Sequence, residues 1–346
     1  MRILLPNHFP LEGSGSGIYT QNVARELVKK GHAAYAITPA HEEQTGFPFE
    51  VDSILFTPQG SSLHSKERLP FNFPCFTTHP LSNTTFADLD AAQREAYIQA
   101  FKQAVRSAVQ TWQPDIIHAQ HLWVTPYAAL QTRAPYIVTA HGTDLMGFRK
   151  YAAWQEVARQ GALHAKAVIA ISQQVSADAI DLYDLDEARV HLVMNGFNED
   201  IFRIMELQPS QVLTTHNIAT IPETLITFVG KLTHFKGVDV LLDAAAKYEQ
   251  ELGSVATLII GDGELREALK AQAERLGLKG IRFLGHQPQT EVARLLNVAD
   301  LSIVPSRVEP FGLVAVEALA CGTPVVATNE GGLPDFIDDR VGMLVD

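Results

Sequence analysis

The sequence predicts an α/β fold in which parallel sheets build two doubly wound domains. Short apolar, β-branched runs alternate with amphipathic helical stretches almost throughout. Glycine-rich turns follow the apolar runs at Gly13–Gly17, Gly230 and Gly261–Gly263, where such a chain passes from strand to helix. The length, 346 residues, corresponds to two domains at ~150 residues each.

The elements follow in order. Arg2–Leu5 reads as a strand, Gly13–Gly17 as a loop, and Ile18–Lys30 as a helix stopped by Gly31. Further strands are expected at Ala33–Thr38, Ile116–His118, Tyr136–Ala140, Ala167–Ile171 and Val190–Met194. Phe47–Asn83, rich in Pro, Phe and Ser, reads as long loops. A polar stretch over residues 204–222, flanked by Gln208-Pro209-Ser210 and Ile221-Pro222, reads as the interdomain linker, giving domains 1–205 and 206–346. The second strand series is Leu225–Val229, Thr257–Ile260, Ile281–Leu284, Leu301–Val304, Pro324–Ala327 and Met343–Val345. The two domains are expected to face each other across a cleft at the carboxyl ends of their sheets. The last strand has no covering helix after it, so the C-terminal domain reads as incomplete.

Composition narrows the function. Asp and Glu outnumber Lys and Arg by 39 to 27, a net charge of -12, the opposite of a nucleic-acid binder. Pro6 interrupts the N-terminal apolar run before a signal segment can form, and no apolar run approaches ~18 residues. The two cysteines, Cys75 and Cys321, form no CxxC pair. A soluble cytoplasmic protein, at most peripheral to a membrane, is the expectation.

Several segments have the residue types of a site. In Glu309-Pro310-Phe311-Gly312-Leu313-Val314-Ala315-Val316-Glu317, a carboxylate ends a loop and a second follows eight positions later. A helix starting near Gly312 would put free N–H groups of Gly312, Leu313 and Val314 where they favour an anion. Two solvated glutamates around an ordinary helix start would show the same spacing. Lys231 and Lys236 lie five apart on the loop after an apolar strand and could both reach one diphosphate, although the segment is no Walker loop. Gly15 and Gly17 could bring backbone N–H groups to a phosphate. The dinucleotide fingerprint fails at Ile18, and after Gly261-Asp262-Gly263 it fails at Arg266. His141 ends an apolar strand and is a cleft candidate. His118 reads as packed and hydrogen-bonded, and His118, His121 and His141 do not have the spacing of a zinc site. Asp88-Leu89-Asp90 and Asp184-Leu185-Asp186 read as solvated charge on helical stretches.

Taken together, these segments resemble family 4 of the retaining GT-B glycosyltransferases along essentially the whole chain. The matching motifs are Gly13–Gly17, Pro114–His118, His141–Asp144, Asn195–Asn198, Gly230…Lys236-Gly237, Gly261–Gly263, Glu309–Glu317, Ala320–Val326 and Gly331–Asp335. The resemblance implies that the C-terminal domain holds a nucleotide-sugar and the N-terminal domain the acceptor. Lys231, Lys236, Gly312, Leu313, Val314, Gly15 and Gly17 would lie at the donor diphosphate, and Glu317 at the ribose. Glu309, Phe311, Gly312 and His141 would lie at the sugar, and Gly285, His286 and Gln287 at the base. His141, Glu309 and Lys236 would be catalytic. The family's usual Arg, Asp and Glu are here Lys231, Asn198 and Asp335. The implied activity is metal-independent hexosyl transfer from a UDP-, GDP- or ADP-sugar to a hydroxyl acceptor, with retention and no cofactor. A phosphorylase, a nucleotide-sugar epimerase or an inactive sugar-nucleotide-binding protein of the same fold are the alternatives.

Overall fold

In the computed structural model, which describes residues 1–61, 68–77, 79–218 and 220–346, β1 (Arg2–Pro6) opens a sheet and buries every residue after Arg2. Such a strand is apolar on both faces because helices cover both. After it come α1 (Gly15–Lys29), β2 (Ala33–Ala40), β3 (Glu50–Leu55), α2 (Ala91–Trp112), β4 (Ile116–Gln120), α3 (Val124–Leu130) and β5 (Tyr136–Ala140). The series closes with α4 (Thr143–Lys150), α5 (Gln155–Leu163), β6 (Val168–Ala170), α6 (Gln173–Tyr183) and β7 (Val190–Leu192). The strands form one parallel sheet in the order β3-β2-β1-β4-β5-β6-β7. α2 begins at a capping box of Asp90 and Gln93 and buries Tyr97, Phe101, Val105 and Ala108, a stripe at helical spacing.

The second series is α7 (Pro209–Thr214), β8 (Thr224–Val229), α8 (Val238–Glu251), β9 (Val255–Ile260), α9 (Arg266–Arg275), β10 (Ile281–Gly285), α10 (Gln289–Val298), β11 (Leu301–Val304), α11 (Leu313–Ala320), β12 (Val325–Thr328) and β13 (Gly342–Val345). Its parallel sheet runs β10-β9-β8-β11-β12-β13. Alternate residues of the strands feed two cores. Leu225, Leu258 and Ile260 pack with Val212, Leu213, Val292, Leu295 and Ala318, while Phe228 and Ile259 pack with Leu241, Leu242 and Leu269. Helices therefore cover both faces of the sheet.

The chain divides into two units, Met1–Met194 and Asn195–Asp346, so the boundary lies earlier than the expected 205/206. The polar stretch expected to be a linker is part of the second unit. Phe202, Val212 and Leu213 are buried in its core, and the Met205 N–H donates to Asn297 Oδ1 at 2.6 Å. Val212 and Leu213, two apolar residues among many polar ones, are enough to dock one short helix, which composition averaged over the stretch conceals. β3 is a second correction, since Phe47–Asn83 was expected to be irregular. Its polar Glu50, Asp52 and Ser53 hide an edge strand whose one neighbouring strand among the described residues is β2. The loops after it carry Phe71, Phe73, Phe76 and Phe86 into the interior, and part of that segment lies outside the described residues. The Asp tripeptides sit at helix ends rather than on helices: Asp90 caps α2, Asp184 ends α6 in the left-handed region and Asp186 accepts from the Ala188 N–H. Among the described residues, no helix is long and apolar enough to cross a membrane.

Candidate functional site

In each sheet the strand order reverses at one crevice, between β1 and β4 in the first unit and between β8 and β11 in the second. Ligands of open α/β sheets bind outside the carboxyl ends of the strands at such points. Nearly all the expected site residues follow those strand ends or those of their neighbours.

In the second unit, the loop after β8 carries Lys231 and Lys236, and the loop after β11 carries Glu309. These two loops are bonded together. Lys236 Nζ donates to Glu309 Oε2 at 2.6 Å, and Ser306 Oγ donates to the same oxygen at 2.9 Å. The Arg307 N–H donates to the Phe235 carbonyl at 2.8 Å, and the Arg307 guanidinium grips Asp239 of α8 at 2.8 and 2.6 Å. Two residues assigned separately by sequence, Lys236 and Glu309, are thus direct partners. Glu309 is 7% exposed, so its charge is held by a cation and a hydroxyl rather than by water. Oε1 has no partner among the described residues and remains able to accept from a ligand hydroxyl.

α11 starts where the spacing requires. Gly312 is its N-cap at φ 101°, a conformation that favours glycine. The N–H groups of Leu313 and Val314 in the first turn have no intrahelical acceptor. Phe311 turns its ring inward onto Phe336, at 5.2 Å between centroids, so only its backbone is available to a ligand. Glu317 lies on the second turn, half-buried, and burial pushes its carboxyl up to about 8. An acid with a raised native pKa binds protons that the unfolded chain has released, so stability falls as pH rises from the ordinary carboxylate value of 4.5 through about 8. Melting temperatures of Glu317→Gln and of the parent across pH 5–9 test this. The variant should lose less stability with rising pH, and parallel curves would contradict it.

Gly285 and Gln287 close the turn after β10. The Gly285 carbonyl accepts from the Gly261 N–H at 2.8 Å, and Gln287 Nε2 donates to the Leu284 carbonyl at 2.8 Å. His286 is exposed beside them. Beside Gly285 lies the guanidinium of Arg266, paired with Asp262 at 2.6 Å.

In the first unit, Gly15 opens α1, and the Gly17 N–H donates to Ser14 Oγ at 3.0 Å. That amide is committed to the helix cap, which corrects its expected role as a phosphate donor. Gly17 serves close packing instead, since a side chain there would strike the Pro10 carbonyl. His141 follows β5 and is 8% exposed. Its Nε2 meets Gln120 Oε1 at 2.9 Å, and its ring lies edge-on to Tyr19 at 5.0 Å. Burial, reinforced by His118, pulls His141 down to about 3. His118 is packed and bonded to Thr139 Oγ1 at 2.7 Å, as expected, and burial lowers it to about 4. The buried Asp144 accepts from the Leu122 and His141 N–H groups, while burial raises its carboxyl to about 6. His121 stands at φ 69° with both ring nitrogens unpartnered among the described residues. Among those residues, no three His, Cys, Asp or Glu side chains are grouped as a metal site.

Gln120, Tyr19, Ser306 and Arg266 were not singled out from sequence. Their signals are weak: Ser306 is three residues before Glu309, and Arg266 is four after Asp262. A lone Gln or Tyr has no signal of its own.

Two parallel, doubly wound units with the site residues at their carboxyl ends define the two-domain Rossmann-like GT-B class. The chain belongs to glycosyltransferase family 4. Residues 13–201 match the family described as Glycosyltransferase Family 4, and residues 216–346 match Glycosyl transferases group 1. A D-inositol 3-phosphate glycosyltransferase of Segniliparus rotundus is 28% identical over 97% of this chain and 74% of its own length. A protein of the same name from Mycobacterium sp. (strain JLS) is 33% identical over 75% of this chain, which spans 63% of that relative. Among solved structures, sucrose-phosphate synthase of Thermosynechococcus elongatus superimposes with a TM-score of 0.74 at 21% identity, covering all of this chain and 86% of that one. Anabaena HepE in complex with UDP-glucose gives 0.71 at 23% identity, covering all of this chain and 85% of that one.

Proposed function

We propose that the protein transfers a hexosyl group from a nucleotide diphosphate sugar to a hydroxyl acceptor with retention of anomeric configuration. The observation that carries this reading is the pairing of Lys236 with Glu309 beside the N-terminus of α11, which sets a cation, a carboxylate and free N–H groups together at the β8/β11 crevice. Lys231, Lys236 and the α11 N-terminus hold the diphosphate and stabilise the charge that grows on it as the glycosidic bond breaks. The acceptor oxygen attacks from the same face through an oxocarbenium-like state. Its proton passes to the leaving phosphate oxygen, so no separate base is required. Glu309 Oε1 and His141 hold sugar hydroxyls, Glu317 holds the ribose, and the turn at Gly285, His286 and Gln287 holds the base.

Because two lysines and a helix terminus supply the positive charge, transfer is expected to survive EDTA. Loss of activity that Mg²⁺ or Mn²⁺ restores would overturn this metal-free mechanism. Thermal-shift measurements with UDP-, GDP- and ADP-sugars test the donor class: one base should stabilise the protein, and no shift with any would contradict the reading. Glu317→Gln should weaken nucleotide binding by about 1–2 kcal/mol with kcat nearly unchanged, because the ribose gains no charge during transfer. His141→Ala should lower kcat and leave nucleoside diphosphate affinity near the parent value. Calorimetric titration beside steady-state kinetics checks both.

A further inference from the structure

The ring of His141 faces one buried side chain amide, that of Gln120. The Gln120 side chain is fully buried at the end of β4, and both ends of its amide are held. Its Nε2 donates to the His118 carbonyl at 3.1 Å. A backbone carbonyl can only accept, so turning the amide over would set two acceptors against each other. Oε1 is thereby fixed toward His141 Nε2, at 2.9 Å. An amide oxygen also can only accept, so in the neutral imidazole Nε2 carries the proton and Nδ1 the lone pair.

The surroundings agree with this assignment. Burial keeps the ring neutral at ordinary pH. Neither neighbouring polar group competes for it: the Asp144 carboxylate takes backbone N–H groups of Leu122 and His141, and His118 Nε2 is engaged by Thr139. The His121 ring lies 4.6 Å from the His141 ring without a hydrogen bond to it. Nδ1 of His141 has no hydrogen-bond partner among the described residues.

We propose that Gln120 is a positioning residue that locks His141 as the Nε2–H tautomer, so that His141 meets a sugar hydroxyl as a hydrogen-bond acceptor through Nδ1. The hydroxyl half of this inference rests on the donor-sugar reading above, and the tautomer half does not. One consequence is a specificity rule. A donor whose facing hydroxyl is replaced by fluorine, which accepts but does not donate, should be as poor a substrate as the deoxy sugar.

The test is long-range proton–nitrogen correlation NMR of the histidine rings in the ligand-free, uniformly nitrogen-15-labelled protein at neutral pH, with His141 assigned by its loss in His141→Asn. The expected result is a protonated Nε2 and an unprotonated Nδ1. An Nδ1–H tautomer overturns the proposal without any ligand or turnover, even if the donor-sugar reading stands. Conversely, failure to bind any nucleoside diphosphate overturns that reading and leaves the tautomer measured. In Gln120→Leu the two nitrogens should move toward averaged shifts, and kcat should fall about tenfold, the equivalent of one hydrogen bond, with nucleoside diphosphate affinity retained. An unchanged tautomer in that variant overturns the role of Gln120. If the variant does not fold, the parent spectrum decides.

Discussion

Lys236→Ala is expected to lower kcat by roughly 10²–10³, the usual cost of removing one charge partner of a transition state. Two effects combine in that loss. The developing charge on the diphosphate loses a cation, and Glu309, held at 2.6 Å by Lys236, is left with only the Ser306 hydroxyl. The second effect makes the two residues non-additive. In a Glu309→Gln background, Lys236→Ala should cost less than it does alone, because no uncompensated carboxylate remains. Steady-state kinetics of the two single variants and the double variant check this. Additive losses would mean that the ion pair has no part in transfer, and normal turnover by Lys236→Ala would remove Lys236 from the reaction.

Gly331→Ala should be the second large effect, although position 331 touches no substrate in this account. Gly331 stands at φ 57°, and a side chain there would strike the carbonyl of Glu309. The next residue donates its N–H to that same carbonyl at 3.0 Å. Substitution therefore combines backbone strain of about 1–3 kcal/mol with displacement of the residue that anchors Lys236. Gly253→Ala is the control. Gly253 has a similar φ of 72° with open space around it, so it carries the strain alone. Urea unfolding should show both variants destabilised and Gly331→Ala the more so, while kcat should fall only for Gly331→Ala. Equal stability losses with unchanged kcat in both would show that Glu309 does not depend on this clamp.

Most of the strand series was legible because the apolar runs of the inner strands are buried on both faces, so their pattern needs no partner to be recognised. Tyr136–Ala140 and Leu301–Val304 coincide with the strands in the structure. β3 and α7 were not legible. Each contributes few apolar residues, and its identity depends on a neighbour, β2 for one and α10 for the other, that no local window contains. The site divides in the same way. Gly312 as N-cap and Glu317 on the second turn follow from spacing along one helix. The Lys236–Glu309 bond joins positions 73 apart, and the Gln120–His141 bond joins positions 21 apart. Sequence singled out Lys236, Glu309 and His141 but not Gln120, and the strand order decides which of them meet. The Gly17 amide is taken by Ser14 Oγ, a competitor just as local that reading Gly13–Gly17 as a loop does not reveal.

Slow hydrolysis of the donor tests retaining transfer from a nucleotide-sugar without knowledge of the acceptor. The protein is incubated with the α-linked nucleotide-sugar that thermal shift selects, and the anomeric proton of the released sugar is followed by NMR before mutarotation. The α anomer should form first, with release of the nucleoside diphosphate and loss of both signals in Lys236→Ala. First appearance of the β anomer would contradict it.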